Sequence, residues 1–149
     1  MAGLEAFEAR LAGLITALEP PARRPLARQI AIGLRRSEAR RIAAQTNPDG
    51  RPFEPRKPTL RKAKGKIKRQ MFAKLRTSKW MQVESSADAA VVTFAAQVQA
   101  MARVHHYGLR DRVSRRGGPE VQYPARRLLG FNAENIAAIE AQIIEHLSR

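Results

Sequence analysis

No cysteine occurs anywhere in the 149 residues, which excludes disulfides and thiolate metal sites and is compatible with a reducing, intracellular birthplace. Aromatic residues are scarce at 5%, so the core must be built from Leu, Ile, Val and Ala carried on helices. Long apolar runs are missing too: no stretch approaches the roughly 18 uncharged residues of a membrane span. The start, Met1-Ala2-Gly3-Leu4-Glu5, lacks the basic opening and apolar run of a signal peptide. These absences predict a soluble protein made in the cytoplasm, with no contact to membrane. Its length suits a single domain spanning 1–149.

Acidic residues are also few, 13 against 28 Lys and Arg, for a net charge of +15. Residues 51–79 hold twelve basic side chains and one acid, Glu54, whereas residues 22–45 hold seven arginines and one acid. Residues 131–149 reverse the sign, with three glutamates and one arginine. A chain this basic needs an acidic partner: nucleic acid, a membrane surface or an acidic protein face. Charge alone does not choose among them.

What is present reads as an α+β fold. Leu4, Phe7, Leu11, Leu14 and Leu18 recur at helical spacing, and Pro20-Pro21 is expected to end that helix. A second helix is expected from about Pro25, with Leu26, Ile30, Leu34 and Ile42 on its apolar face. Arg23, Arg24, Arg28, Arg35, Arg36, Arg40 and Arg41 fall on its other sides. Residues 1–45 thus form a helical hairpin. Asn47-Pro48-Asp49-Gly50 is a strong turn, and Pro52, Pro55 and Pro58 extend it into a basic Pro-rich linker over 46–79. That linker carries the basic segment Arg61, Lys62, Lys64, Lys66, Lys68 and Arg69, then a short helix over 67–75.

Residues 80–149 are expected to form a small antiparallel sheet with short helices and a C-terminal helix. Met81 and Val83 alternate with polar residues, Ser85-Ser86-Ala87-Asp88 turns, and Val91 to Phe94 returns. A helix over 98–106 stops at Gly108, 110–119 reads as a polar loop, and 121–123 as a third strand. Asn132 caps a last helix whose stripe is Ile136, Ile139, Ile143 and Leu147.

Catalytic chemistry finds little to stand on. His105 and His106 are adjacent, so on a helix they diverge by about a hundred degrees and cannot share a metal easily. Ser85, Ser86 and Ser114 have no nucleophile-elbow context. Gly117-Gly118-Pro119 lacks the Lys and helix of a phosphate loop. Glu84, Asp88, Asp111 and Glu120 are scattered. The reading is no catalytic, metal or cofactor site, and not an enzyme. The basic run admits phosphate backbones and acidic protein surfaces equally.

Four stretches taken together resemble the tail completion, or virion morphogenesis, family of contractile-tailed temperate phages. They are Gln45-Thr46-Asn47-Pro48-Asp49-Gly50-Arg51-Pro52-Phe53, Gln70-Met71-Phe72-Ala73-Lys74-Leu75-Arg76, Ala102-Arg103-Val104-His105-His106-Tyr107-Gly108-Leu109-Arg110-Asp111 and Tyr123-Pro124-Ala125-Arg126-Arg127-Leu128-Leu129-Gly130-Phe131. Many members carry Trp where this chain has Phe53, a conservative change in an apolar anchor.

The resemblance implies a structural role in finishing the tail at the end that meets the head. By analogy with other tail-end proteins it implies six copies in a ring, touching tail tube or sheath and neck or connector proteins. Such a protein works in the host cytoplasm during assembly and then in the virion. Mu-like relatives leave room for a head-side role, and the basic run leaves nucleic acid as the secondary partner. Residues expected at contacts are Pro48, Asp49, Gly50, Arg51, Phe53, His106, Tyr107, Gly108, Arg110, Arg126, Leu129, Gly130 and Phe131. For Tyr107 and Phe131, core and interface remain equally open. Arg110, Arg112, Arg115 and Arg116 either pair with acids on a neighbour or stay solvated.

Overall fold

The computed structural model describes residues 19–56, 70–114 and 117–148, together with positions 5, 6 and 9. Leu4, Phe7, Leu11, Leu14 and Leu18 of the expected first helix lie outside the described residues, as does the basic segment 61–69. Among the described residues these elements follow one another in helices and two small antiparallel sheets: α1 (Pro20–Ala43), β1 (Met81–Ser85), β2 (Ala90–Phe94), α2 (Ala96–Tyr107), β3 (Arg110–Ser114), β4 (Gly117–Gln122) and α3 (Ala133–Leu147). Strand β1 pairs with β2, and β3 with β4. The α+β expectation holds.

Helix α1 begins five residues before the expected start at Pro25. Pro20 and Pro21 open it, because the first-turn N–H groups have no intrahelical partner to lose. The carbonyl of Glu19 instead accepts the N–H groups of Ala22 (2.9 Å) and Arg23 (3.0 Å). Pro25 lies inside the helix and removes the one N–H that would have met the carbonyl of Pro21. At the other end, Arg40 and Arg41 suit the negative pole of the helix dipole. Gln45 then turns left-handed at φ 58°, and its side-chain amide donates to the carbonyls of Ile42 (2.7 Å) and Met71 (2.9 Å).

The chain forms two compact units, residues 1–37, 83–93 and 131–149 in the first, and 38–82 and 94–130 in the second. In the first, Leu26, Ile30, Ile139 and Ile143 make a buried cluster against which Leu34, Ala90 and Ile136 pack. Helix α3 brings its half of that cluster with a reciprocal cap: Asn132 Oδ1 accepts the Asn135 N–H at 2.8 Å, and Asn135 Oδ1 accepts the Asn132 N–H at 3.1 Å. Asn135, itself buried, also donates to the Ser37 hydroxyl. The β1–β2 turn is held by Ser86, whose Oγ accepts the N–H groups of Asp88 and Ala89, both at 3.1 Å.

In the second unit the buried apolar residues include Ile42, Phe53, Leu75, Met81, Phe94, Ala102 and Leu128. The expected helix over 67–75 does not form in its described part. Residues 71–76 are a run of turns, because Phe72 stands at φ 64°, which no helix interior accepts. That twist sets the Phe72 ring edge-on to Phe53 at 5.9 Å. Trp80, half-buried, closes the following turn: its N–H meets the Thr77 carbonyl at 3.1 Å and its carbonyl accepts the Ala95 N–H at 2.7 Å. The polar stretch 110–119 is also not a loop but most of a hairpin. Arg110 pairs with Gln122, Asp111 with Val121 and Arg112 with Glu120, with an irregularity before Ser114–Gly117. A ladder of main-chain bonds needs no apolar alternation, so this strand pair left no pattern to read.

Candidate interaction surface

The family-like stretches, Phe131 apart, lie within the second unit, and a buried ion pair at the end of α1 organises them. Glu38 and Arg41 are only 4% and 8% exposed. Arg41 Nη1 donates to the carbonyls of Thr46 (2.8 Å) and Arg127 (2.7 Å), while Nη2 donates to the carbonyl of Leu128 (2.8 Å) and to the Glu38 carboxylate. Glu38 in turn accepts the Gly130 N–H at 3.4 Å. Burial pushes the Glu38 carboxyl above its ordinary range, and the Arg41 charge and hydrogen bond pull it back. One guanidinium therefore ties the turn after α1 to the 127–130 segment. In the sequence Arg41 is one of seven arginines off the apolar face of α1, and nothing in its spacing separates it from the other six.

The turn itself forms as expected. The Asn47 carbonyl accepts the Gly50 N–H (2.9 Å), the Arg51 carbonyl accepts the Asn47 N–H (2.8 Å), and Gly50 stands at φ 88°, a conformation few side chains tolerate. Asp49 Oδ1 accepts the Arg51 N–H at 2.9 Å, and the two exposed side chains pair at 3.8 Å. Asn47 Oδ1 accepts the Arg127 N–H at 2.8 Å. At Gly130 a Cβ would lie 2.6 Å from Pro48 Cγ, so the two residues approach as closely as glycine permits.

Helix α2 supplies the other wall. Gly108 caps it left-handed at φ 69°, and a Cβ there would lie 2.7 Å from the Ala125 backbone nitrogen. The Arg126 N–H donates to the His105 carbonyl at 2.8 Å, and the Tyr123 N–H to the Leu109 carbonyl at 3.1 Å. His106 Nδ1 accepts the N–H groups of Leu128 (3.2 Å) and Leu129 (3.5 Å), which requires that nitrogen to be unprotonated. Burial, then the Arg127 and Arg41 charges, hold His106 below its ordinary pKa. His105 is depressed in the same way, by burial and then Arg126, with Asp111 opposing. Its ring joins an edge-on file, 5.1 Å from Phe72 and 4.8 Å from Tyr123.

The contact residues expected from sequence thus divide. Phe53 and Arg126 are buried, 3% and 5% exposed. Arg126 reaches the carbonyls of Glu54 (Nε, 2.7 Å) and Pro55 (Nη2, 3.2 Å), so both residues brace the unit from inside. Burial lowers the Arg126 pKa from its usual height. Pro48, His106, Gly108, Leu129 and Gly130 form the half-buried floor. Asp49, Gly50, Arg51, Tyr107 and Arg110 are presented to solvent, Arg110 pairing with Glu120 at 3.6 Å. Tyr107 is 57% exposed, with the Arg103 and Arg127 guanidinium carbons 5.9 and 5.7 Å from its ring centre. Phe131, 48% exposed, belongs to the first unit.

Among the described residues no group of three His, Asp or Glu side chains could hold a metal ion, and no helix is long and apolar enough to cross a membrane. Compared with known proteins, the chain matches the phage virion morphogenesis family over residues 2–148. Tail completion protein S of Escherichia phage P2 is 43% identical to it over 145 residues, 96% of each chain. No solved structure matches. A match from the second residue to the last but one leaves little of the chain unaccounted for, and the chain belongs to the phage virion morphogenesis family.

Proposed function

We propose that this protein completes the phage tail by binding alone, as a ring of six copies at the head-proximal end that permits joining to the head. The observation that carries the reading is its likeness to a relative named for tail completion, which runs almost the whole length of both chains. The exposed Tyr107 with its two arginines, and the turn at residues 48–51, offer contact chemistry of the kind protein interfaces favour. Catalysis has no part in this reading. The basic run at 51–79 meets an acidic tail or neck surface.

Electron microscopy of particles made without this protein tests the role. Unfinished, headless tails support it; defective heads move the protein to the capsid side; normal infectious particles refute it. The twelve basic residues at 51–79 favour one second reading, nucleic-acid binding. That reading requires tight DNA or RNA binding that falls steeply with salt, measured by filter-binding titration at two ionic strengths.

A further inference from the structure

The positive charge is not shared between the two compact units. Residues 38–82 and 94–130 hold 21 Lys and Arg against five Asp and Glu, a net +16. Residues 1–37, 83–93 and 131–149 hold seven against eight, a net −1. A second copy therefore has no unit acidic enough to neutralise that excess, and the charge points to a separate polyanion. The acids of the basic unit are spent within it. Glu38, Asp49 and Glu120 pair with Arg41, Arg51 and Arg110, while the charge of Glu54 acts on Arg126 and that of Asp111 on His105.

Arg103 and Arg127 are exposed and, among the described residues, stand in no salt bridge. Beside both, Tyr107 is 57% exposed. Their guanidinium carbons lie 5.9 and 5.7 Å from its ring centre. Stacked groups approach to roughly 4 Å, so the two cations flank the tyrosine without covering it. His106 holds the same ring edge-on at 4.7 Å. The surface is thus an open, fixed aromatic with two guanidiniums at its border. A protein carboxylate has no face to stack on it, whereas an unpaired base does, and the flanking phosphates of a strand suit the guanidiniums. A duplex keeps its bases stacked inside and would use the cations alone.

We propose that Arg103, Tyr107 and Arg127 form a binding site for single-stranded nucleic acid, with one base stacked on Tyr107 and neighbouring phosphates on the two guanidiniums. The site goes beyond the tail-completion reading. It rests on the nucleic-acid reading above but lies outside the basic run at 51–79, and it gives the Tyr107 surface to a strand rather than to a neighbouring protein.

Fluorescence anisotropy of a labelled oligothymidylate of about 16 nucleotides, titrated with the full-length chain at several salt concentrations, is the test. The wild type is expected to bind, its log affinity falling linearly as log salt rises. Arg103→Gln with Arg127→Gln is expected to flatten that slope by about 1.4, for two phosphates at roughly 0.7 each on a single strand. Tyr107→Leu is expected to weaken the strand at least about fivefold at unchanged slope and to leave a duplex of the same length untouched, whereas Tyr107→Phe keeps the affinity. An equal loss on the duplex overturns the site. Circular dichroism checks that each variant folds. If Tyr107→Leu does not, competition on the wild type decides: polyglutamate of equal charge displacing the strand as well as unlabelled oligothymidylate does makes this an acidic-protein surface and overturns the site. Strand binding indifferent to the double variant and to Tyr107→Leu leaves nucleic acid to the run at 51–79 and overturns the site alone. Absence of strand binding at low salt overturns it too, and if the duplex also fails, the nucleic-acid reading falls with it.

Discussion

Replacing Arg41 by methionine isolates what the buried pair contributes. The substitution keeps most of the side-chain volume but leaves Glu38, 4% exposed, without its counter-charge, and strips the carbonyls of Thr46, Arg127 and Leu128 of a donor. Removing one partner of a buried ion pair costs about 3–5 kcal/mol. For a chain of this size that lowers Tm by roughly 10 °C. Arg41→Met with Glu38→Met together leaves no stranded charge, so the double variant is expected to be more stable than Arg41→Met alone.

The pH dependence sharpens the test. The folded-state pKa of Glu38 is already raised by burial, and without Arg41 only the Gly130 N–H still pulls it back. A raised carboxyl gives stability that is full below the unfolded value and is lost as pH rises through the folded one. The Arg41→Met variant is therefore expected to lose less stability at pH 5 than at pH 7.5. Urea titrations at both pH values decide. A midpoint like wild type, or a double variant as unstable as the single, refutes the account.

The remaining expectations concern other joints. His106 and His105 are both held below the ordinary 6.5, so their share of stability is present above that value and lost as pH falls through their lowered pKa; His106→Gln, which keeps an acceptor but cannot titrate, should flatten Tm measured between pH 5 and 8. Gly108→Ala is expected to cost at least about 1–2 kcal/mol from the left-handed backbone alone, and more because the new Cβ meets the Ala125 backbone; an unchanged denaturation midpoint contradicts this. Deleting residues 61–68 should leave the circular dichroism of the helices intact yet block the assembly of joined virions, which a plaque titre on the complemented mutant measures.

Sequence made the strongly periodic elements legible. Ile136, Ile139 and Ile143 behind the Asn132 cap announce α3, and Gly108 marks the end of α2, since each rests on local rules that packing had no reason to override. The Asn47–Gly50 turn is readable for the same reason. Elements held by main-chain or long-range bonds were not. The β3–β4 hairpin is polar throughout most of its length, and the Phe72 twist follows no composition rule.

The contact residues were half legible. The stretches that resemble the family do gather in one unit, Phe131 apart, but which of their side chains face solvent depends on the fold. Tyr107, left open between core and interface, is exposed, whereas Arg126 is buried on carbonyls 71 and 72 positions away. Glu38 and Arg41 are not legible as a pair, because the partners of Arg41 lie across the turn and some 86 residues on.

Trp80 is the chain's single tryptophan, and it belongs to the second unit. With the Lys79 ammonium 4.7 Å from its ring and the Ala95 amide on its carbonyl, its emission is sensitive to the joint between two segments of that unit. The molecule thus carries one intrinsic lamp, placed among residues 38–82 and 94–130, while α3 has none. Fluorescence watches the half that bears Tyr107, and the helical ellipticity watches both.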